Sequence, residues 1–189
     1  MSRDARLANL LGALATGLVD RVSAASTEAA QMDGSAPAAL VALLDFSPHG
    51  SVHVLSQIVG LTHSGGVRLV DRLVAAGLAE RGAGADARSI TVSLTRRGRT
   101  VAHGIRRERS AEIRNALVGL TERQRAELVH ACEIVIANLT RQRLAERAAG
   151  GLPAGGALCR LCDFDACGRL VATCPAARAA DPDASAGRP

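Results

Sequence analysis

Four cysteines are the residues in this chain best placed to do chemistry. Cys159, Cys162, Cys167 and Cys174 fall within sixteen residues, separated by two, four and six residues, and Pro175 follows the last. Four thiolates this close can wrap one tetrahedral ion, and a CxxC turn is the usual half of a structural zinc site. The same four ligands suit an iron–sulfur cluster, for which a Cys-Pro ending is also used. A thiol–disulfide sensor is a third reading. Zinc leads because the surrounding segment has few core residues and needs something to hold it. The fifth cysteine, Cys132, lies on an apolar helical seam and reads as a small core residue. The five histidines are scattered and form no cluster. No paired carboxylates, nucleophile elbow or phosphate loop appears, so the chain is not expected to be an enzyme.

The second chemical signal is charge. All 23 basic residues are arginine, within a net charge of +5. The bias toward arginine reads as genome composition, but its distribution carries information. Residues 61–115 hold 11 arginines against 5 acids, whereas residues 1–60 hold 3 against 5. A local basic segment is the electrostatic footprint of a phosphate-backbone binder. Aromatics amount to 1% of the chain, Phe46 and Phe164 being the whole set, which argues against base stacking on aromatic platforms.

The elements that must position these groups follow from periodicity. Leu7, Leu10, Leu11, Leu14, Leu18 and Val22 recur at helical spacing, so residues 4–28 form a first, amphipathic helix. Its apolar run Leu7–Val19 stops at Asp20 and Arg21, too short to cross a bilayer, and Asp4 before it argues against an export signal. A location in the cytoplasm, at the nucleoid, is therefore expected. Pro37 suits the opening of a short helix over 38–46. Ser51 caps a helix over 52–59, which Gly60 ends. Thr62 caps another that runs to about Ala76, closed by Gly77. Residues 78–81 and 89–94 then read as two strands of a hairpin with a tip at 82–86.

Two long helices come next. Thr95 caps one that runs to about Val118, and Thr121 with Gln124 forms a capping box for the other. The second keeps a seam of Leu128, Cys132, Val135, Ile136, Leu139 and Leu144. A helix this long needs a partner for its seam, which points to an interface built from both chain ends of a homodimer. Beyond Ala148 the composition turns glycine-rich.

On a helical wheel, Val67, Val70, Leu73 and Val74 cluster on the packed side of the helix that Thr62 caps. Ser64, Gly65, Arg68 and Arg72 fall opposite, with His63 near the buried edge. Small and hydrogen-bonding groups at an N-terminus, with guanidinium groups further along, are what a helix lying in a DNA major groove needs. Arg68 is placed for guanine or phosphate, and Arg72 for the backbone. Gly65-Gly66 costs about 1 kcal/mol per residue in helix propensity. Close approach to DNA or compensation by packing would each account for the pair. At the hairpin tip, Arg88 can enter a minor groove with Asp86 orienting it.

The stretch Gly60-Leu61-Thr62-His63-Ser64-Gly65-Gly66-Val67-Arg68-Leu69-Val70-Asp71-Arg72-Leu73, followed by Gly77-Leu78-Ala79-Glu80-Arg81, Asp86-Ala87-Arg88, Val92-Ser93-Leu94-Thr95 and Gly98-Arg99, resembles the MarR family of regulators. The resemblance covers residues 5–148 in element order and is specific over 55–99. It implies a homodimer with interlocked terminal helices, a recognition helix at Thr62–Ala76, a wing arginine at Arg88 and a palindromic operator. It also implies repression, relieved in many members by a small, often phenolic, ligand. Gly65-Gly66 and the cysteine extension depart from the family pattern.

The expected fold is thus mainly α with a small β-wing: a winged helix-turn-helix in an intertwined helical homodimer. Residues 1–150 form the DNA-binding and dimerisation domain, 151–158 a linker, 159–175 a metal module with one zinc or, less favoured, a cluster, and 176–189 an unstructured tail. The expected function is sequence-specific transcription regulation, answering to a small ligand or a redox or metal signal. The DNA contacts would come from Thr62, Ser64, Gly65, Arg68, Arg72, Asp86 and Arg88. A thiol–disulfide oxidoreductase using Cys159 and Cys162, and an architectural DNA binder without sequence preference, are the alternatives.

Overall fold

A computed structural model describes residues 2–83, 90–150 and 155–181. Helix α1 spans Arg3–Ala30, opened by Ser2, whose hydroxyl accepts from the Ala5 amide. Helix α2, Ala36–Val41, begins with Pro37 in its first turn. It passes directly into a π-helical turn, Ala42–Phe46, closed by the Ser47 amide on the Ala42 carbonyl at 2.9 Å. Strand β1 (Gly50–Ser51) leads into α3 (Val52–Val59), and α4 spans His63–Ala75. Strands β2 (Ala79–Ala83) and β3 (Ile90–Leu94) form the wing, and α5 (Arg96–Ala116), α6 (Glu122–Ala148) and α7 (Pro175–Ala180) follow.

The capping residues set these boundaries. Ser51, Thr62, Thr95 and Thr121 each accept a backbone N–H from the first turn of the helix they precede. At Thr121 the box is reciprocal, because Gln124 accepts from the Thr121 amide at 2.9 Å. Such a cap contributes typically about 1 kcal/mol. Gly60 sits at φ 73°, where a side chain would be strained, and turns the chain from α3 toward α4.

The sheet is antiparallel in the order β1-β3-β2, with Gly50 opposite Val92 and Ala79 opposite Leu94. The third strand, β1, has only two residues and no alternation, so its sequence carries no strand signal. Leu40, Leu55, Val70, Leu73, Val92 and Ile105 are fully buried where α2, α3, α4, β3 and α5 meet. Each contributes roughly 1.5–3 kcal/mol by leaving water. Gly98 packs against the Leu78 carbonyl so closely that an added Cβ would lie 1.8 Å from the oxygen, which fixes α5 against the wing base.

Two boundaries differ from those expected. Residues 155–158 are seated rather than spanning a gap: the Ala157 amide donates to the Ile58 carbonyl at 2.8 Å. The chain is also ordered past Ala176, because Pro175 opens α7 and Ala176 is buried. The remaining linker and tail positions, 151–154 and 182–189, lie outside the described residues.

Candidate nucleic-acid interface and thiol site

The exposed side of α4 carries the groups expected there. Thr62, Ser64, Arg68 and Arg72 are exposed and Gly65 is half-buried. Thr62 is already engaged: its hydroxyl accepts the Gly65 amide at 3.2 Å and lies 3.3 Å from the Ser64 hydroxyl. Arg72 pairs with Asp33 at 2.6 Å, which holds its guanidinium toward the start of α2. Arg68 makes no ion pair among the described residues. Asp71 binds Arg81 of β2 at 2.7 Å, tying α4 to the wing. Asp86 and Arg88, at the wing tip, lie outside the described residues.

One open alternative is decided here, one expectation is corrected, and one feature is new. Gly66 is buried against α3, where an added Cβ would meet the Ser56 hydroxyl oxygen at 1.8 Å and the Ser56 Cβ at 2.9 Å. Close helix packing, not close approach to DNA, accounts for it. His63 is exposed rather than at the buried edge, and its ring lies 6.2 Å from that of His53 on α3. Gln57 is hydrogen-bonded to His53 at 3.1 Å, so α3 adds a polar patch beside the start of α4. The signal was present in the sequence, since His53 and Gln57 are one turn apart and opposite Leu55 and Ile58.

The basic segment is partly spent on the fold. Arg72, Arg81, Arg106 and Arg107 are in ion pairs. Arg97 donates to the Ala76 carbonyl at the end of α4, and Arg99 to the Leu94 carbonyl. Counting arginines therefore overstates the charge free for a polyanion.

The cysteines lie in a lobe of turns over 155–174, with no strand-to-helix junction at Cys159–Cys162. Tight local bonds fold the lobe back on itself. The Cys162 amide donates to the Cys159 carbonyl at 3.0 Å, the Arg169 amide to the Phe164 carbonyl at 3.1 Å, and the Thr173 amide to the Gly168 carbonyl at 2.9 Å. Gly168, at φ 72°, leaves no room for a Cβ against Thr173. This return brings Cys174, which is buried, beside the others.

All five thiols are free. The Cys167 thiol donates to the Phe164 carbonyl at 3.6 Å, and the four thiols of the lobe lie close enough to feel one another's charge. The hydrogen bond from Cys159 draws Cys162 down to about 6, against burial and with help from Arg109 and Arg169. That bond and burial push Cys159 upward, so the two share one proton. As they stand, no three Cys, His, Asp or Glu side chains among the described residues are grouped to hold a metal ion. Cys132 is exposed on α6 rather than in the core of this chain.

The lobe is locked to the rest of the molecule. Phe46, ending the π-helical turn, meets Phe164 with ring centroids 5.7 Å apart. Arg169 lies over both rings, at 4.8 Å from Phe164 and 5.5 Å from Phe46. Arg106 of α5 binds Asp45 at 2.7 Å and also Asp163. Its hydrogen bond holds the Asp163 carboxyl below the usual carboxylate range. Arg143 of α6 donates to the Gly156 carbonyl. Between α6, the lobe and α7 lies a cleft of about 480 Å³, lined by Phe46, Leu144, Cys159, Arg143, Arg169 and Arg178 among others.

The fold and this interface define a winged-helix protein. No protein-family model matches the chain, and no curated protein matches it in sequence. Solved structures do. RV1404 from Mycobacterium tuberculosis is 29% identical over 70% of this chain and 90% of its own, with a TM-score of 0.58. The MarR family protein RV2887 of the same organism, in complex with p-aminosalicylic acid, is 26% identical over 68% and 97%, with a TM-score of 0.53. A putative MarR family transcriptional regulator from Listeria monocytogenes, complexed with a 26mer DNA, is 18% identical over 77% and 96%, with a TM-score of 0.58. The chain has the MarR winged-helix fold, carrying in addition the cysteine lobe described above. No helix among the described residues is long and apolar enough to cross a membrane.

Proposed function

We propose that the chain is a sequence-specific DNA-binding transcription regulator of the cytoplasm, acting as a homodimeric repressor on a palindromic operator. The observation that carries this is the exposed N-terminal half of α4, where Ser64 and Arg68 stand at the surface beside a wing. The Listeria neighbour bound to DNA and the mycobacterial neighbour bound to p-aminosalicylic acid support operator binding and release by a small ligand.

The dimer reading rests on uncovered apolar surface at both chain ends. Leu7, Leu10, Leu11 and Leu14 of α1 are 49–62% exposed, and α6 buries none of its residues. Soluble proteins rarely leave such runs facing water, and a second copy would cover both.

Selection and footprinting with purified protein should yield an inverted repeat with half-sites about one helical turn, roughly 34 Å, apart. Arg68→Ala should cost about 1–3 kcal/mol and relax preference at particular base pairs. Arg88→Ala should weaken binding to all sequences and lower the salt slope by about one. A monomer that holds one half-site tightly, or a steep salt slope without sequence preference, would refute the proposal.

A further inference from the structure

We propose that Cys159, Cys162, Cys167 and Cys174 bind one zinc ion as a tetrathiolate, and that the loaded lobe clamps the helix-turn-helix to α6. The first part rests on the lobe alone; the second rests also on the DNA-binding reading above.

The lobe is docked by the Phe46–Phe164 and Arg106–Asp163 contacts but has little core of its own. Between Gly155 and Cys174 there is no helix or strand, and only Phe164, Cys174 and the Gly156 seat are buried. Ordering twenty residues costs on the order of 20–40 kcal/mol of conformational entropy, which one buried ring and a few turn bonds do not offset. A structural ion supplies folding energy of the order that such a segment lacks. The turn bonds from Cys162 to Cys159 and from Thr173 to Gly168 fold all four cysteines into one lobe, with Cys174 buried in it. Binding draws the four sulfurs onto one centre: four Zn–S bonds form, and the protons still on the thiols pass to solvent. The product carries a net charge of −2. Arg109 and Arg169 both act on Cys162 by their charge, so the surroundings compensate that product.

The lobe touches α3, the π-helical turn, α5 and α6. Ala157 donates to Ile58, the last turn of α3, immediately before the turn into α4. Phe164 and Arg169 close over Phe46, and Asp163 shares Arg106 with Asp45. On the other side Gly156 accepts from Arg143 of α6. An ion that stiffens the lobe therefore fixes α3 relative to α6, the helix assigned to the dimer.

The test uses the full, untagged chain purified under reducing conditions. Elemental analysis should give one zinc per chain. Cobalt(II) added to stripped protein should give thiolate charge-transfer bands and tetrahedral d–d bands, seen against a chain with no Trp or Tyr. Cys162→Ser and Cys167→Ser should lose the ion, and Cys132→Ser should keep it. Because a ligand variant can misfold, the same loss is read on the natural chain by chelation, which should raise the titratable thiols from one, Cys132, to five, and the return of zinc should reverse it. Chelation should also weaken operator affinity by at least about tenfold, within the usual range for coupled sites. Protein that binds neither zinc nor cobalt and titrates all five thiols from the start overturns the site. Iron with equimolar acid-labile sulfide overturns zinc as the occupant. Zinc that binds while DNA affinity stays the same on chelation overturns the clamp alone.

Discussion

At the residue scale, the caps were legible because each needs only one hydroxyl at one position: Ser51, Thr62, Thr95 and Thr121 stand where their helices begin. The pairing of the arginines was not. Arg72 meets Asp33 and Arg106 meets Asp45 across 39 and 61 residues, and no local pattern announces such a partner. Gly66 illustrates the same limit, since its need for a bare Cα comes from Ser56 on another helix. Gly66→Ala gains roughly 1 kcal/mol in helix propensity but overpacks the α3–α4 contact, at about 1–3 kcal/mol. The expected net result is a loss of stability of about 1–2 kcal/mol by denaturant titration. Gly65→Ala, whose Cβ would lie 3.2 Å from Thr62 Oγ1, asks the capping hydroxyl to give by only a few tenths of an ångström and should cost less than Gly66→Ala. Equal effects of the two would show that the Ser56 contact does not constrain the helices.

At the scale of elements, the helical periods and the alternation of β3 announced themselves, and the wing hairpin follows a helix-turn-helix as the sequence pattern required. The π-helical turn at Ala42–Phe46 did not, because one extra residue in a turn leaves the apolar spacing almost unchanged. That turn matters, since it ends on Asp45 and Phe46. The long helices raise a quantitative expectation. If α1 is covered by a second copy, Leu14→Glu removes about 1.5–3 kcal/mol per chain and places a charge in the seam. Dimer dissociation should then strengthen by roughly 10²–10⁴-fold. Sedimentation equilibrium reads this directly; an unchanged dimer constant would move the interface away from α1.

At the scale of the whole molecule, one arginine joins three parts of the chain. Arg106 is 10% exposed and holds two carboxylates that are themselves 27% and 34% exposed. Replacing it with alanine leaves both acids without their cation, at about 1–3 kcal/mol once solvent screening is allowed for. The lobe should loosen locally before the core does. Hydrogen exchange at the Ala157 amide should therefore quicken in Arg106→Ala while amides of α4 stay protected; unchanged exchange at Ala157 would show that the lobe is held elsewhere. The cysteine spacing told where a metal could go, but not that its lobe would sit on Ile58 and Phe46, because docking is a matter of shape at long range. The Phe46–Phe164 contact has a practical corollary. A chain cut after α6 would look like a tidy regulator of ordinary length, yet it would present a bare phenylalanine and an orphaned Asp45–Arg106 pair on its flank. Such a fragment invites self-association, and trading the extension between relatives would require trading residues 42–46 with it.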